Sequence, residues 1–355
     1  MPSSAPSVTP LPDSSAGRPR ATGPSRRALL AGGGAAALGA LLTACGADKP
    51  SAAASGASGA WSFKDDRGRT ARVDHTPRRI VAFVSAAAAL HDYGVECTGV
   101  FGPTEPVDGK PNPQAGDLDL AKLKSVGQEW GRFNVEKYAA LRPELLISNM
   151  FPGPDLWFVP EESSKKIAAL APTVGIGIAR SSLRVPLRRY TELAASLGAD
   201  LGAKRVTDAK ARFERAERTL REAARKNGGL KVLAMTGDND NLYVAVPDSY
   251  CDLNYFKDLG VEFVEGKKSD EWGFWEFLSW ENADKYHADL IMLDNRSASM
   301  SREELAQKPT FASLPAVKAG QITPWAMEER YSYAGYGPVL ERLADAINRS
   351  KRLTS

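Results

Sequence analysis

The chain has 355 residues, room for one to three domains. It carries 46 Lys and Arg against 43 Asp and Glu, and four arginines with one aspartate in residues 1–44 account for the whole surplus of +3. The remainder is balanced in charge, which excludes a general affinity for nucleic acid.

Residues 1–24 are rich in Ser, Pro and Gly and show no apolar period. Ser25-Arg26-Arg27-Ala28-Leu29-Leu30 then forms a twin-arginine pattern. The apolar run 28–42 is shorter than the roughly 20 residues a membrane span needs. It reads as the apolar region of an export signal covering 1–44. The run ends in Leu42-Thr43-Ala44-Cys45-Gly46. Small residues before a Cys resemble the lipobox of bacterial lipoproteins, and that resemblance implies diacylglycerol on the thiol of Cys45. The plainer alternative is an uncleaved anchor with a chance Cys. Residues 45–60 are a Ser/Ala/Gly tether of the flexible kind, which suits a globular body held at a membrane.

The globular part begins near Trp61. A hairpin is expected where residues 62–63 and 69–73 flank Asp66-Arg67-Gly68. Residues 80–84 read as a buried strand, 86–93 as a helix stopped by Gly94, and 98–101 as a second strand. Helix and strand then alternate: helix 135–141, strand 145–148, helix 161–170, strand 173–178. Such alternation predicts a parallel, doubly wound sheet. Residues 186–198 are amphipathic. Residues 202–227 form a long charged helix without Pro, about 24 helical residues or about 36 Å at 1.5 Å per residue. Alternation resumes with strands 231–236 and 242–246, helices 252–259 and 280–285, strands 290–293 and 322–323, and a last helix 338–347. The expected organisation is α/β: two doubly wound lobes with mainly parallel central sheets (61–201 and 229–355), joined by one long helix (202–228), with a ligand cleft between them.

Two segments echo each other across the lobes. Asn134-Val135-Glu136 and Ser279-Trp280-Glu281 each open with a capping residue and put a Glu in the first turn, where a carboxylate suits the helix dipole. With Asp65-Asp66-Arg67-Gly68-Arg69 and Pro77-Arg78-Arg79-Ile80-Val81, this resembles the helical-backbone class of periplasmic-type binding proteins, from Trp61 to Ile347. Those proteins serve importers for iron–siderophores, haem and cobalamin. The resemblance implies that Glu136 and Glu281 dock onto arginines of an ABC permease in the membrane. It also implies a non-enzymatic monomer with no cofactor, lipid-anchored at the outer face of the cytoplasmic membrane.

Within the class, hydroxamate-siderophore binders are the nearest pattern. It rests on Ser148-Asn149-Met150-Phe151-Pro152-Gly153-Pro154, Tyr243-Val244-Ala245-Val246-Pro247-Asp248-Ser249, Asp270-Glu271-Trp272-Gly273 and Arg330-Tyr331-Ser332-Tyr333. The pattern departs at Glu129-Trp130-Gly131-Arg132, where the family's arginine is shifted or the ligand differs. A ferric siderophore arrives with its iron already coordinated. The cleft therefore needs flat apolar walls and a few donors for chelate oxygens, not metal ligands. Trp130, Phe151, Trp157, Tyr243, Trp272, Trp275, Tyr331 and Tyr333 are the expected walls. Arg132 and Arg296 are the expected donors. Haem or cobalamin is the alternative ligand.

Other chemistries lack their residues. His75, His91 and His287 have no ligand spacing. There is no Gly-x-Ser-x-Gly elbow, no phosphate-binding Gly-rich loop and no Cys-x-x-Cys. Ser85 follows a strand but has no His/Asp partner pattern. Cys97 and Cys251, as an exported pair, can form a disulfide. They fall in separate lobes, where a bridge would lock a moving cleft, so two free buried thiols are expected.

Overall fold

The computed structural model describes residues 59–353, except 108, 268, 269 and 298. The export signal, Cys45 and nearly all of the tether lie outside the described residues.

In the first lobe the central strands are largely apolar because both faces of their sheet are covered. Leu145–Met150 is buried at all six positions. The order across the sheet is Lys124–Ser125, Gly99–Phe101, Ile80–Phe83, Leu145–Met150, Thr173–Gly177, and every pairing is parallel. The strand order reverses at Ile80–Phe83, with later strands added first on one side of it and then on the other. Its neighbours on either side release loops at their carboxyl ends, where such sheets bind ligands. The helix Val84–Tyr93 covers the sheet and stops at Gly94, whose φ of 93° supplies the left-handed cap. The hairpin Trp61–Lys64 with Thr70–Val73 is locked to the sheet edge by Asp65 and Asp66, which accept from the backbone N–H of Gly175 (3.1 Å) and Gly177 (2.8 Å).

The sheet of the second lobe is mixed. Its order is Trp275–Ser279, Asn241–Ala245, Lys231–Gly237, Leu290–Asp294, Ile322–Trp325, with Glu262–Phe263 beside the start of Lys231–Gly237. The last three strands in that order run parallel, and the first two are antiparallel additions. Trp275 opens the edge strand. One expectation is corrected here. Residues 280–285 form only the turn Trp280–Asn282, because Ser279 caps no backbone N–H and instead accepts from the side chain of Asn282 at 2.9 Å. The following Lys285 and Tyr286 reach back to Glu276 on the edge strand.

The long helix Lys204–Lys226 lies along the last helix, Tyr333–Arg349, with Arg212 gripping both oxygens of Glu341 (2.8 and 2.5 Å). Apolar core runs unbroken from the first lobe through both helices to the near side of the second sheet. Such a joint resists wide hinging. Cys97 and Cys251 are free thiols.

One signature of the opening has a direct physical account. The carboxylate of Glu144 accepts from the backbone N–H of Arg78 (2.7 Å) and Arg79 (3.0 Å), and pairs with the Arg79 guanidinium (2.6 Å) and His75 (3.0 Å). Burial alone would raise its pKa; these donors win and hold it at about 2. Glu144→Ala is therefore expected to cost about 1–3 kcal/mol at pH 7. The folded-state pKa lies below the unfolded value of about 4.3. The stabilisation is thus complete above that value and lost as pH falls through about 2. Urea unfolding at pH 3, 5 and 7 checks this. A wild-type advantage that does not shrink at pH 3 would refute it.

Candidate ligand-binding cleft

Loops leaving the carboxyl ends of two strands of the first lobe carry aromatic side chains of the cleft. Trp130 follows Lys124–Ser125, and Phe151 and Trp157 follow Leu145–Met150. The second of these loops is pinned to its own strand: Trp157 N–H donates to Asn149 O at 2.9 Å, and Ser148 Oγ to Trp157 O at 2.7 Å. Trp130 is held in a turn that needs glycine at Gly127, where a Cβ would stand 2.3 Å from Arg132 O.

These rings meet. Trp157 lies 4.5 Å from Trp130 and 4.4 Å from Phe151, between centroids, and 6.4 Å from Trp272 of the second lobe. Trp130 and Trp272 remain 59% and 46% exposed. Large aromatic surface left in water beside a cavity of about 670 Å³ marks a binding wall. Two further rings belong to it. Phe158 packs 5.1 Å from Trp130 and holds a φ of 62°, an uncommon strain for a bulky residue. Phe274 lies 5.9 Å from Phe151. Arg180, on the crossing between lobes, donates to Trp272 O and lies 5.7 Å over the Phe274 ring. Periodicity gave no signal for Phe158, Phe274 or Arg180.

A second cavity of about 400 Å³ is lined by the ends of strands Leu290–Asp294 and Ile322–Trp325, and by Pro106 and Val107 of the first lobe. Arg296 lines it. Its charge is already met, however: it pairs with Asp294 (2.7 Å) and with Glu328. These carboxylates outweigh burial and hold it charged.

The other expected residues divide. Trp275 packs on Tyr250 (5.4 Å) and Trp325 (6.1 Å), linked to the wall through Phe274. Tyr243 packs on Phe277 (4.8 Å) and donates its hydroxyl to Asp238. Arg132 is exposed, next to Gly131 of the larger cavity, and lines neither of these two cavities itself. Tyr331 is corrected. It is 1% exposed, stacked 6.2 Å from Tyr190 in the joint between lobes, and reaches no cleft. Tyr333, half-buried, opens the last helix and packs 5.4 Å from Phe213 of the long helix.

Glu136 is exposed in the first turn of Val135–Ala140, which Asn134 caps by accepting from Lys137 N–H at 2.7 Å. Glu281 is exposed in the turn Trp280–Asn282. Among the described residues neither has a hydrogen-bond or ion-pair partner. Ser85 is fully buried and accepts from Asn149 at 3.1 Å, which puts it out of reach of a substrate. Among the described residues no three His, Cys, Asp or Glu side chains gather closely enough to hold a metal ion, and no helix is long and apolar enough to cross a membrane.

A family model described as periplasmic binding protein matches residues 81–326. Among solved structures the chain is similar to DesE, a ferric-siderophore receptor protein from Streptomyces coelicolor, with 50% identity over 83% of this chain and 100% of that one, at a TM-score of 0.79. It shares its fold with the petrobactin-binding protein YclQ from Bacillus subtilis, at 17% identity over 82% of this chain and 99% of that one, TM-score 0.63. The same holds for SirA from Staphylococcus aureus, solved with staphyloferrin B, at 18% identity over 82% of this chain and 99% of that one, TM-score 0.58. No curated protein matches the chain.

Proposed function

The chain belongs to the periplasmic binding protein family, and on that premise we propose that it captures a ferric siderophore of the hydroxamate type and delivers it to an ABC permease. It does so without chemistry, as a monomeric lipoprotein. Residues 1–44 direct export, Cys45 carries the lipid at the outer face of the cytoplasmic membrane, and Glu136 and Glu281 are the permease contacts.

The observation that carries this reading is the aromatic wall of Trp130, Phe151, Trp157 and Trp272 beside a cavity of about 670 Å³. A ferric trihydroxamate presents an apolar exterior around a compact polar centre, and flat rings cover such a surface at little entropic cost. The half-identical relative named as a ferric-siderophore receptor supports the same ligand class.

Three tryptophans of the wall provide the test. Titration with ferric trihydroxamates is expected to quench intrinsic fluorescence at micromolar ligand or below, with the chelate's visible band retained on the protein. Quenching by haem or cobalamin alone, each with its own absorption spectrum, would move the ligand and keep the fold. A flat response to every ferric siderophore would sink the proposal.

A further inference from the structure

Between the two cavities lie two buried carboxylates and a half-buried guanidinium. Glu328 is 1% exposed and sits on the crossing 326–332 that returns the chain from the second sheet to the last helix. Its Oε2 accepts from Gln114 Nε2 at 2.8 Å and from Trp157 Nε1 at 3.1 Å. Its Oε1 accepts from Arg296 Nη1. Asp294, also buried, accepts from Arg296 Nη2 at 2.7 Å and from Ser299 Oγ at 2.8 Å. Glu328 thus ties Arg296, which lines the smaller cavity, to Trp157, which lines the larger.

Two carboxylates surround one guanidinium, and the cleft does not make up the difference. Around the smaller cavity Arg296 and Arg302 face Asp294 and Glu304. Around the larger one, three basic side chains face three acidic ones. The lining itself is thus balanced, and its exposed charges, like that of Arg180 at the aromatic wall, are screened by water and salt. Glu328 behind both cavities leaves the inner set of Asp294, Arg296 and Glu328 with one negative charge in excess. The buried set is screened far less.

We propose that Glu328 sets the charge selectivity of the cleft: together with Asp294 it overcompensates Arg296, so the site admits uncharged or cationic ferric chelates and turns away anionic ones. This rests on the siderophore reading above and sharpens it. An anionic chelate entering the cleft meets no uncompensated buried guanidinium, and juxtaposed like charges in a desolvated site discriminate strongly against the wrong partner.

The experiment compares two ferric trihydroxamates that differ only in a pendant arm, one uncharged and one carboxylated, along with a trianionic ferric tris-catecholate. The wild type is expected to prefer the uncharged chelate over the carboxylated one by about tenfold or more, with the catecholate weaker still. Glu328→Gln preserves shape and removes the charge, and is expected to shrink that preference by about tenfold. Asp294→Asn lightens the same cation from its other side and shifts it in the same direction. Circular dichroism and thermal melts establish that each variant is folded. Equal affinity of the wild type for chelates of every charge overturns the proposal, as does a preference that survives in both folded variants. Binding of none of the chelates overturns the siderophore reading itself, a result distinguishable from the loss of selectivity alone.

Discussion

Trp325→Ala is expected to destabilise the protein by about 3–5 kcal/mol at neutral pH. Trp325 ends the strand Ile322–Trp325 and is 1% exposed. Its ring meets Tyr250 edge-on at 5.2 Å and lies 6.1 Å from Trp275. Its Nε1–H donates to Oδ2 of Asp252 at 2.8 Å. Truncation leaves a cavity and strands a buried carboxylate. Trp325→Phe separates the two effects. It keeps most of the packing and removes the hydrogen bond, at about 1–3 kcal/mol.

The pH dependence of the Phe variant gives the mechanism away. Burial pushes Asp252 up to about 6, against the opposing pull of the Trp325 indole and the backbone N–H of Leu253. The folded-state pKa thus lies above the unfolded value of about 3.9. The native state holds that proton more tightly, so its contribution to stability is fully present below the unfolded value and lost as pH rises through about 6. Without the indole donor the ionised carboxylate is poorer still. The deficit of Trp325→Phe relative to wild type should then be larger at pH 8 than at pH 5. Denaturant unfolding at both values measures it, and equal deficits would show that the bond to Asp252 carries no charge-dependent stability.

What the sequence disclosed follows from how each element is buried. Parallel strands covered on both faces are rich in apolar runs, and the runs 145–147 and 290–293 read that way without help from context. The helix Lys204–Lys226 reads from its length, its charge and its lack of Pro. The strand Trp275–Ser279 escaped because its alternation is inverted. Glu276 points inward, held by Lys267 N–H and the Tyr286 hydroxyl (both 2.6 Å) and by Lys285, while Phe277 is 48% exposed. A pattern argument puts the acid in water and the ring inside.

The cleft was half legible for a related reason. Trp130, Phe151, Trp157 and Trp272 are too numerous for loops at strand ends to need for packing alone, and they do converge. Tyr331 and Tyr333 have the same chain context, yet their rings turn into the joint between the lobes. Glu328 has the opposite history. An acidic pair, Glu328-Glu329, reads as solvated surface, and only the crossing of the chain beneath the cleft buries it against Arg296, Gln114 and Trp157. Side-chain identity names the chemistry available, whereas the route of the backbone decides which chemistry faces the ligand.

Iron uptake by cells producing the double variant Glu136→Ala, Glu281→Ala is expected to fall to the level of cells lacking the protein, with ligand affinity unchanged. The two carboxylates are exposed on different lobes, in the first turn of Val135–Ala140 and in the turn Trp280–Asn282, and neither lines a cavity. Without an internal partner among the described residues, each contributes little to the fold. Stability should change by no more than about 0.5 kcal/mol per substitution. If they are the permease contacts proposed above, the same carboxylates meet basic partners across that interface. Truncating one member of a desolvated charge pair costs about 2–5 kcal/mol or more of affinity. One pair lost should slow uptake, and two should abolish it. Fluorescence titration of the purified double variant and radioiron uptake by the cells separate binding from delivery. Normal uptake by the double variant would remove both glutamates from docking. Restoration by acidic-to-basic exchange at Glu136, matched by basic-to-acidic exchange in the permease, would identify the pair directly.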